Sequence, residues 1–411
     1  MTGQARTPAE PTEGSSGEWA QTQRLLELGS NAWKLELMHV AVGQPTQEAY
    51  RTPMNSVGLD VHKTRCVACV KTQEGRIVEE FAFQNTPHGH EELITHLKAY
   101  PEVQVAIEST GNLWIPIYNR LEDEQIHTVL TNPKKTRLIA EAKIKTDKLD
   151  ARILADLLRA NLLSASYVPP PEIREQRSII RERARLTQLR TIIKNRIHTL
   201  LDKHAYKSPF TDLFGKHGLE WLAKLELPAG DRILLEVNLE QLNSLNHSIT
   251  RLTESIAASA IENPEVKLLM GFTGIDYYSA MFLINEIGPI ARFPSPKKLV
   301  SYAGLAPSTH QSGDRTTHGP ITKEGNSHIR WILIEAAHQA ARHDPRLSQF
   351  YLRIMKRRGH NRALVAVARK MLVTIYHVLN HHSQYRGLRP ELFENKIRRL
   401  ERITQPSLQT A

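Results

Sequence analysis

Four acidic residues are placed where they could support metal-assisted chemistry at phosphorus: Asp60, Glu108, Asp147 and Asp150. Asp60 lies inside the apolar run Ser56-Val-Gly-Leu-Asp-Val-His62. Glu108 closes Val103-Gln-Val-Ala-Ile-Glu108 and is followed by Ser109-Thr-Gly111. Asp147 and Asp150 stand three apart in Thr146-Asp-Lys-Leu-Asp-Ala-Arg152, heading a helical pattern that runs on through Ile153-Leu-Ala-Asp-Leu-Leu158. That spacing puts both carboxylates on one helix face. Acids on strands facing a helix that carries two more make an oxygen cage suited to hard divalent cations. Two such ions roughly 3.5–4 Å apart promote in-line displacement at phosphorus. Taken singly, each acid reads equally well as a strand-end group or as a charge at a helix N-terminus. Asp60 is the hardest to read that way, because an acid between Leu59 and Val61 is costly to bury unless it is paired or bound to metal.

The rest of the chain supplies a matching substrate class. Net charge is +11 over 411 residues, and the excess is uneven. Residues 133–203 carry 17 Lys and Arg against 8 Asp and Glu, and residues 342–402 carry 15 against 4. Residues 1–54 carry 4 against 6. Two basic blocks on several helices point to a nucleic acid rather than to an acidic membrane surface. No apolar stretch approaches the roughly 20 residues of a bilayer span, so no membrane partner is expected. The N-terminus lacks the pattern of a secretion signal. Cys66 and Cys69 cannot form a disulfide framework or a four-thiolate zinc site; on a strand they face opposite sides.

These residues must be held by a definite order of elements. Residues 1–54 read as a disordered or accessory extension, with an amphipathic helix over Trp19–Leu37, and Met54 is a candidate translation start. Strands are expected at Val57–His62, Cys66–Val70 and Arg76–Phe83, then a helix at His90–Tyr100 and a strand at Val103–Glu108. A helix at Leu113–Glu124, a strand at His127–Thr131 and the helix bearing Asp147 and Asp150 complete an α/β domain over 55–166. The order is that of a ribonuclease-H-like fold, with Asp60 and Glu108 on neighbouring parallel strands, where sites in open sheets are expected. Val168-Pro-Pro-Pro171 breaks the chain. Residues 167–262 read as a basic helical coiled-coil region: a long helix over Ile173–His204, then Leu242, Leu245, Ile249, Leu252 and Ile256 at coiled-coil spacing. The two helices could pair within one chain or between chains. Residues 263–411 read as a mainly α domain. Within it, Met270-Gly-Phe-Thr-Gly-Ile275 resembles a helix-hairpin-helix turn in which Gly271 and Gly274 offer backbone N–H groups to phosphate. Tyr302-Ala-Gly-Leu-Ala-Pro307 leads into a polar loop, Ser308–Gly319.

Together these motifs resemble the DEDD-type insertion-sequence transposases, the family described as bridge-RNA-guided serine recombinases, whose N-terminal domain is RuvC-like and similar to the Holliday-junction resolvases. The resemblance covers roughly residues 55–385. It rests on Gly58-Leu-Asp60, Ile107-Glu-Ser-Thr-Gly111, Thr146–Arg152, Ala303–Pro307, Ser312-Gly313 and Lys323-Glu-Gly325, in order and spacing. It implies that Asp60, Glu108, Asp147 and Asp150 bind one or two Mg²⁺ ions, with Mn²⁺ as a substitute. It also implies that Ser312 attacks the scissile phosphate to form a phosphoserine link. Element-end and target DNA, a guide RNA and further copies of the chain, as a dimer or tetramer, are the implied partners. The implied location is the bacterial cytoplasm, at the nucleoid. The 54-residue extension departs from the family pattern.

Without that resemblance, Ser312 reads as an ordinary turn residue with Ser308, Thr316, Thr317 and Ser327 as rivals, because a hydroxyl needs a base, a metal or positive neighbours to act as a nucleophile. Arg315, His318 and Lys323 are the positive neighbours in sequence. Lys143, Lys145 and Arg152 flank the acidic pair and are expected to contact phosphate. Lys356, Arg357, Arg358 and Arg362 are expected to bind nucleic-acid backbone. The pair His62-Lys63 suits either a phosphate contact or an exposed basic surface. His377 and His381 lack further ligands for zinc. Two other readings remain: a resolvase-like endonuclease that activates water, and a non-catalytic nucleic-acid-binding protein.

Overall fold

The computed structural model describes residues 54–139, 146–312 and 315–405. The expected N-terminal helix and the expected phosphate contacts Lys143 and Lys145 lie outside the described residues. The chain divides into two compact units, Met1–Val168 and Pro169–Ala411.

The first unit is built on a five-stranded sheet of order β3-β2-β1-β4-β5. The strands are β1 (Asn55–Val61), β2 (Arg65–Lys71), β3 (Ile77–Gln84), β4 (Val103–Glu108) and β5 (His127–Thr131). β1 pairs antiparallel with β2 and parallel with β4, and β5 continues the parallel half. Each expected strand forms within two residues of its anticipated ends. The helices are α1 (Pro87–Leu97), α2 (Trp114–Asp123), the unanticipated short α3 (Pro133–Ile139) and α4 (Asp147–Arg159). Strand alternation sorts the side chains. Val57, Leu59 and Val61 join Leu93, Leu97, Ile117 and Leu121 in the core beneath α1 and α2. The other face of the sheet receives α4, with Val67 and Cys69 against Ala151, and Ala106 against Leu154 and Leu158. Cys66 and Cys69 therefore occupy opposite faces, as their spacing requires, and burial pushes both thiols up to about 11.

Gly58 sets how closely α4 approaches. A Cβ on this residue would lie 2.0 Å from the Ala151 carbonyl oxygen and 2.6 Å from the Ala155 nitrogen. The helix backbone thus rests on the strand backbone, with small residues on the contacting helix face. Ion pairs pin the sides: Lys71 to Asp156 from β2, and Arg152 to both carboxylate oxygens of Glu80 from β3.

The second unit is helical apart from one hairpin. Helix α5 (Pro171–Lys203), the short α6 (Lys216–Lys224) and α7 (Ala229–Glu262) form its long arm. Side-chain bonds Gln176–Ser259, Arg183–Thr253 and Lys203–Asp231 show that α5 and α7 run antiparallel within one chain. This settles the pairing left open above: Leu235, Leu242, Ile249 and Ile256, seven apart, are buried in α7, while Leu245 and Leu252 are half-buried. The remaining helices are α8 (Pro264–Met270), α9 (Tyr277–Ile287), α10 (Pro296–Tyr302), α11 (Ser327–His343), α12 (Pro345–Arg358), α13 (His360–Asn380) and α14 (Pro390–Thr404). Helix α9 is apolar on nearly all sides and lies within the largest core. Helix α13 is 21 residues long and apolar enough to cross a membrane by length and composition alone. It is instead a core helix, burying Leu364, Val367, Met371, Leu372 and Ile375 among its neighbours.

Residues 308–319, expected as a loop, are also corrected. They belong to an antiparallel hairpin, β6 (Pro307–Ser312) and β7 (Arg315–Ile321), with Ser312 opposite Arg315. Its strands are polar on both faces, so no apolar alternation announced them, and main-chain pairing holds them.

Replacing Gly58 by Ala should cost about 1–3 kcal/mol by forcing α4 off the sheet. Gly230, where an added Cβ meets nothing within 4 Å, is the control: Gly230→Ala in the first turn of α7 should be neutral or stabilising. Denaturant unfolding of the two variants checks the contrast.

Candidate functional site

Asp60 is the penultimate residue of β1, and Glu108 is the last of β4. The last paired residues of the two parallel strands are Leu59 and Ile107, so the acids follow at adjacent strand ends. Asp60 shares its face with Gly58, and Glu108 shares its face with Ala106; both faces are covered by α4. Asp147 opens that helix, with the Thr146 hydroxyl capping it by accepting from the Leu149 N–H at 3.2 Å. Close seating of α4 on Gly58 therefore brings the helical acids to the strand end that bears Asp60.

The tightest cluster is Asp60, His62 and Asp147, whose ligand atoms all lie within 4.8 Å of one another. His62 Nε2 is 3.1 Å from Asp60 Oδ2 and 3.5 Å from Asp147 Oδ1. Asp150 and Glu108 stand outside this cluster, although Asp150 is near enough to act on Asp60 electrostatically. His62 is the residue whose place in the site the sequence reading missed. The signal was available, since the second residue beyond Asp60 returns to the same face.

Asp60 is 15% exposed, whereas His62 and Asp147 are 56% and 60% exposed. Burial pushes the Asp60 carboxyl above its ordinary value of 3.8; the His62 charge opposes this, and the charges of Asp147 and Asp150 reinforce it. Neighbouring carboxylate charges that raise the proton affinity of Asp60 are what a divalent cation would relieve, so the donor set fits the implied metal. An imidazole beside two carboxylates suits Mn²⁺ at least as well as Mg²⁺.

The other expected contacts are placed as follows. The Arg152 guanidinium is engaged by Glu80 and serves as a clamp on α4. The turn at Gly271 and Gly274 is packed against neighbouring elements. Gly271 is buried, and Gly274, at φ +88°, packs so tightly on α11 that a Cβ would lie 2.5 Å from the Ala336 carbonyl. Lys396 reaches into the turn and donates to the carbonyls of Met270, Phe272 and Ile275 at 2.7–2.8 Å. The Gly271 N–H is itself taken up by the Leu268 carbonyl at 3.2 Å. Burial pushes the Lys396 ammonium down to about 8.

Ser312 is exposed at the tip end of the hairpin. The hairpin's foot is held by two glycines: Gly304 lies against the Lys323–Glu324 backbone, and Gly325, at φ +113°, lies against the Tyr302 carbonyl. Lys323 takes a left-handed φ of +55°, rare for a residue with a side chain. Beneath it, Asn326 caps α11 and donates to Glu286, which also receives both arms of Arg181 from α5. Burial alone would raise the Glu286 carboxyl, but Arg181 and Asn326 outweigh it and hold the group low. Lys356, Arg357 and Arg358 form the exposed last turn of α12, and Arg362 is exposed in the first turn of α13.

Two family profiles match the chain in order. A DEDD transposase profile of the IS110 type covers residues 57–205, and a profile of the IS116/IS110/IS902 transposase family covers residues 266–352. The chain belongs to this family of transposases. The first match contains all four acids, and the second contains the Ser312 hairpin and its foot. The y4qE protein of Sinorhizobium fredii is 28% identical over 207 residues, half of this chain and half of its own length. The transposase for insertion sequence element IS1111A of Coxiella burnetii is 27% identical over 294 residues, 69% of this chain and 79% of its own. The pilin gene-inverting protein of Moraxella lacunata is 23% identical over 350 residues, 80% of this chain and 97% of its own.

Because the native state favours protonated Asp60, that group's stabilising contribution is full below pH 3.8 and is lost as pH rises through the raised native value. Asp60→Asn should therefore melt a few degrees higher than the parent at pH 7 without metal. It should also lose most of the stabilisation that Mn²⁺ gives the parent. Thermal scans in EDTA and in Mn²⁺ check both, and a full Mn²⁺ shift in the variant would remove Asp60 from the ligand set.

Proposed function

We propose that this transposase cuts and rejoins DNA through a carboxylate-bound metal and a serine nucleophile, under the guidance of an RNA. The observation that carries the metal half is the convergence of Asp60 and Asp147 about His62 on the face where Glu108 ends its strand. In this reading Asp60, Glu108, Asp147 and Asp150 hold Mg²⁺ or Mn²⁺ on a ribonuclease-H-like sheet. Bound there, the cation lowers the cost of charge developing on the phosphate and on the departing oxygen. Ser312 Oγ forms one P–O bond as the bond to a DNA hydroxyl breaks. The serine proton leaves to solvent or to a neighbouring base, and the released strand ends in a hydroxyl. Attack by a new DNA hydroxyl reverses the step and rejoins the strand, so the phosphodiester's energy is conserved. The exposed position of Ser312 beside Arg315 supports this role.

Exposed Leu189, Ile192, Ile233, Leu234 and Val237 in the outer half of the α5–α7 arm support assembly as a dimer or tetramer. The arm's intramolecular pairing leaves that face for a second copy. A guide RNA would take over target choice, leaving the protein to contact backbone.

Ser312→Ala should bind DNA at the parent's affinity yet form no covalent adduct and no recombined product. Ala at any of the four acids should abolish cleavage, and paired losses should not add. Trapping the adduct on a denaturing gel with radiolabelled DNA separates the readings: parental cleavage by Ser312→Ala would make water the nucleophile, as in a resolvase.

Neutralising Lys356, Arg357 and Arg358 together should weaken duplex binding and flatten its salt dependence by up to about 2.7 in slope, roughly 0.9 per phosphate contact. Metal-induced stabilisation should be unchanged. A parental slope in a salt titration would show that this turn of α12 faces solvent alone.

A further inference from the structure

The base of the α12–α13 hairpin holds a cleft on elements that carry neither the acids nor Ser312. Its volume is about 540 Å³, within the range of sites that hold a whole small molecule. Arg346 from the first turn of α12, Lys370 from α13 and Arg386 from the following loop bring three permanent cations to its walls. No Asp or Glu lines it among the described residues. The buried acid Asp344, which contacts wall residues, is already engaged: it accepts from the N–H groups of Arg346 and Leu347 and from the Tyr385 hydroxyl. Thr374 adds a hydroxyl to the wall, and its proton is directed to the Lys370 carbonyl at 3.0 Å.

Two further wall residues are aromatic. His377 and His381, one helical turn apart, hold their rings parallel, with an interplanar angle of 1° and centroids 6.1 Å apart. Both residues are exposed. Cations along a groove combined with flat aromatic faces are the recognition chemistry of single-stranded nucleic acid, where phosphates meet the cations and bases stack on the rings. A duplex keeps its bases inside and could present only its outer phosphates here. A single strand can turn a nucleotide into the cleft.

The position adds a second argument. Helix α12 spans 14 residues, about 20 Å of rise, with Arg346 at its start and Lys356, Arg357 and Arg358 at its end. Cationic clusters thus sit at both ends of one rigid helix. A strand held in the cleft could run along α12 to the basic turn.

We infer that the cleft between the start of α12 and the end of α13 is a binding site for a single-stranded nucleic-acid segment, holding phosphate on Arg346, Lys370 and Arg386 and a base on the His377–His381 face. The inference deepens the proposed function only in naming the polyanion; the cleft's chemistry stands without the metal or Ser312.

The test is direct binding of fluorescein-labelled ten-nucleotide DNA and RNA strands of one sequence to the full chain in EDTA, beside the matching DNA duplex. The double variant Arg346→Gln, Arg386→Gln should bind both single strands at least tenfold more weakly, with a salt slope shallower by about 1.4, roughly 0.7 per lost phosphate contact. Its affinity for the duplex should fall less than twofold. His377→Ala with His381→Ala should weaken single-strand binding while leaving the salt slope unchanged, because stacking releases no counterions. Equal effects on DNA and RNA assign the contact to phosphate and base; a larger effect on RNA adds its 2′-hydroxyl. Parental affinity and slope in the arginine variant would overturn the inference. So would an equal loss for duplex, which would make the cleft part of a general basic surface. Strand binding in EDTA is read without metal and without turnover, so failure of the metal chemistry leaves this result readable.

Discussion

The contact between Gly58 and helix α4 is the constraint on which the first unit's chemistry depends. Any side chain on β1 at this point would collide with the Ala151 carbonyl, so hydrogen alone allows the helix backbone to lie on the sheet. That seating converts two separated sequence features into one place. Asp60 sits two residues beyond Gly58 on the same face, and Asp147 begins the helix that Gly58 admits. The Lys71–Asp156 and Arg152–Glu80 pairs then stop the helix from sliding or rolling. Like charges are gathered here at a cost in stability, as the raised proton affinity of Asp60 shows. A structure that only needed to be stable would not gather them.

The second unit uses different means for a similar end. Its hairpin offers the core little beyond Ile321 at its foot, which is also held by close backbone packing at Gly304 and Gly325 and by a polar chain from Arg181 through the buried Glu286 to Asn326. That chain joins the long helix α5 to the start of α11. A buried carboxylate satisfied in this way specifies one arrangement, because any slip would leave the Glu286 charge without its partners. Lys396 does the same for the turn between α8 and α9 by satisfying three carbonyls at once.

Strand and helix order, the acidic residues and the family were all legible in the sequence. Short apolar runs located β1, β2 and β4, and the three-four recurrence of Leu242, Leu245, Ile249, Leu252 and Ile256 marked α7, where Leu242, Ile249 and Ile256 are buried. These are local signals, written within a few neighbouring residues, and they survive without knowledge of any partner.

What tertiary structure decided was which residues are free to act and which are engaged by neighbours. Arg152 has the composition of a phosphate contact, yet Glu80, distant in sequence, engages it, and Lys396 ties the carbonyls of the Gly271–Gly274 turn from far along the chain. His62 reads as a phosphate contact or an exposed basic residue until α4 brings Asp147 beside it. The polar hairpin around Ser312 reads as a loop because its stability comes from cross-strand main-chain bonds rather than from side-chain burial. The cleft at Arg346, Lys370 and Arg386 has no linear signature, because its three cations come from separate segments that only the packing of α12 and α13 brings together. Sequence determined the chemical inventory and its periodicity; pairing across long separations determined its use, since a charge or a hydrogen bond is defined by whatever group lies within about 4 Å of it.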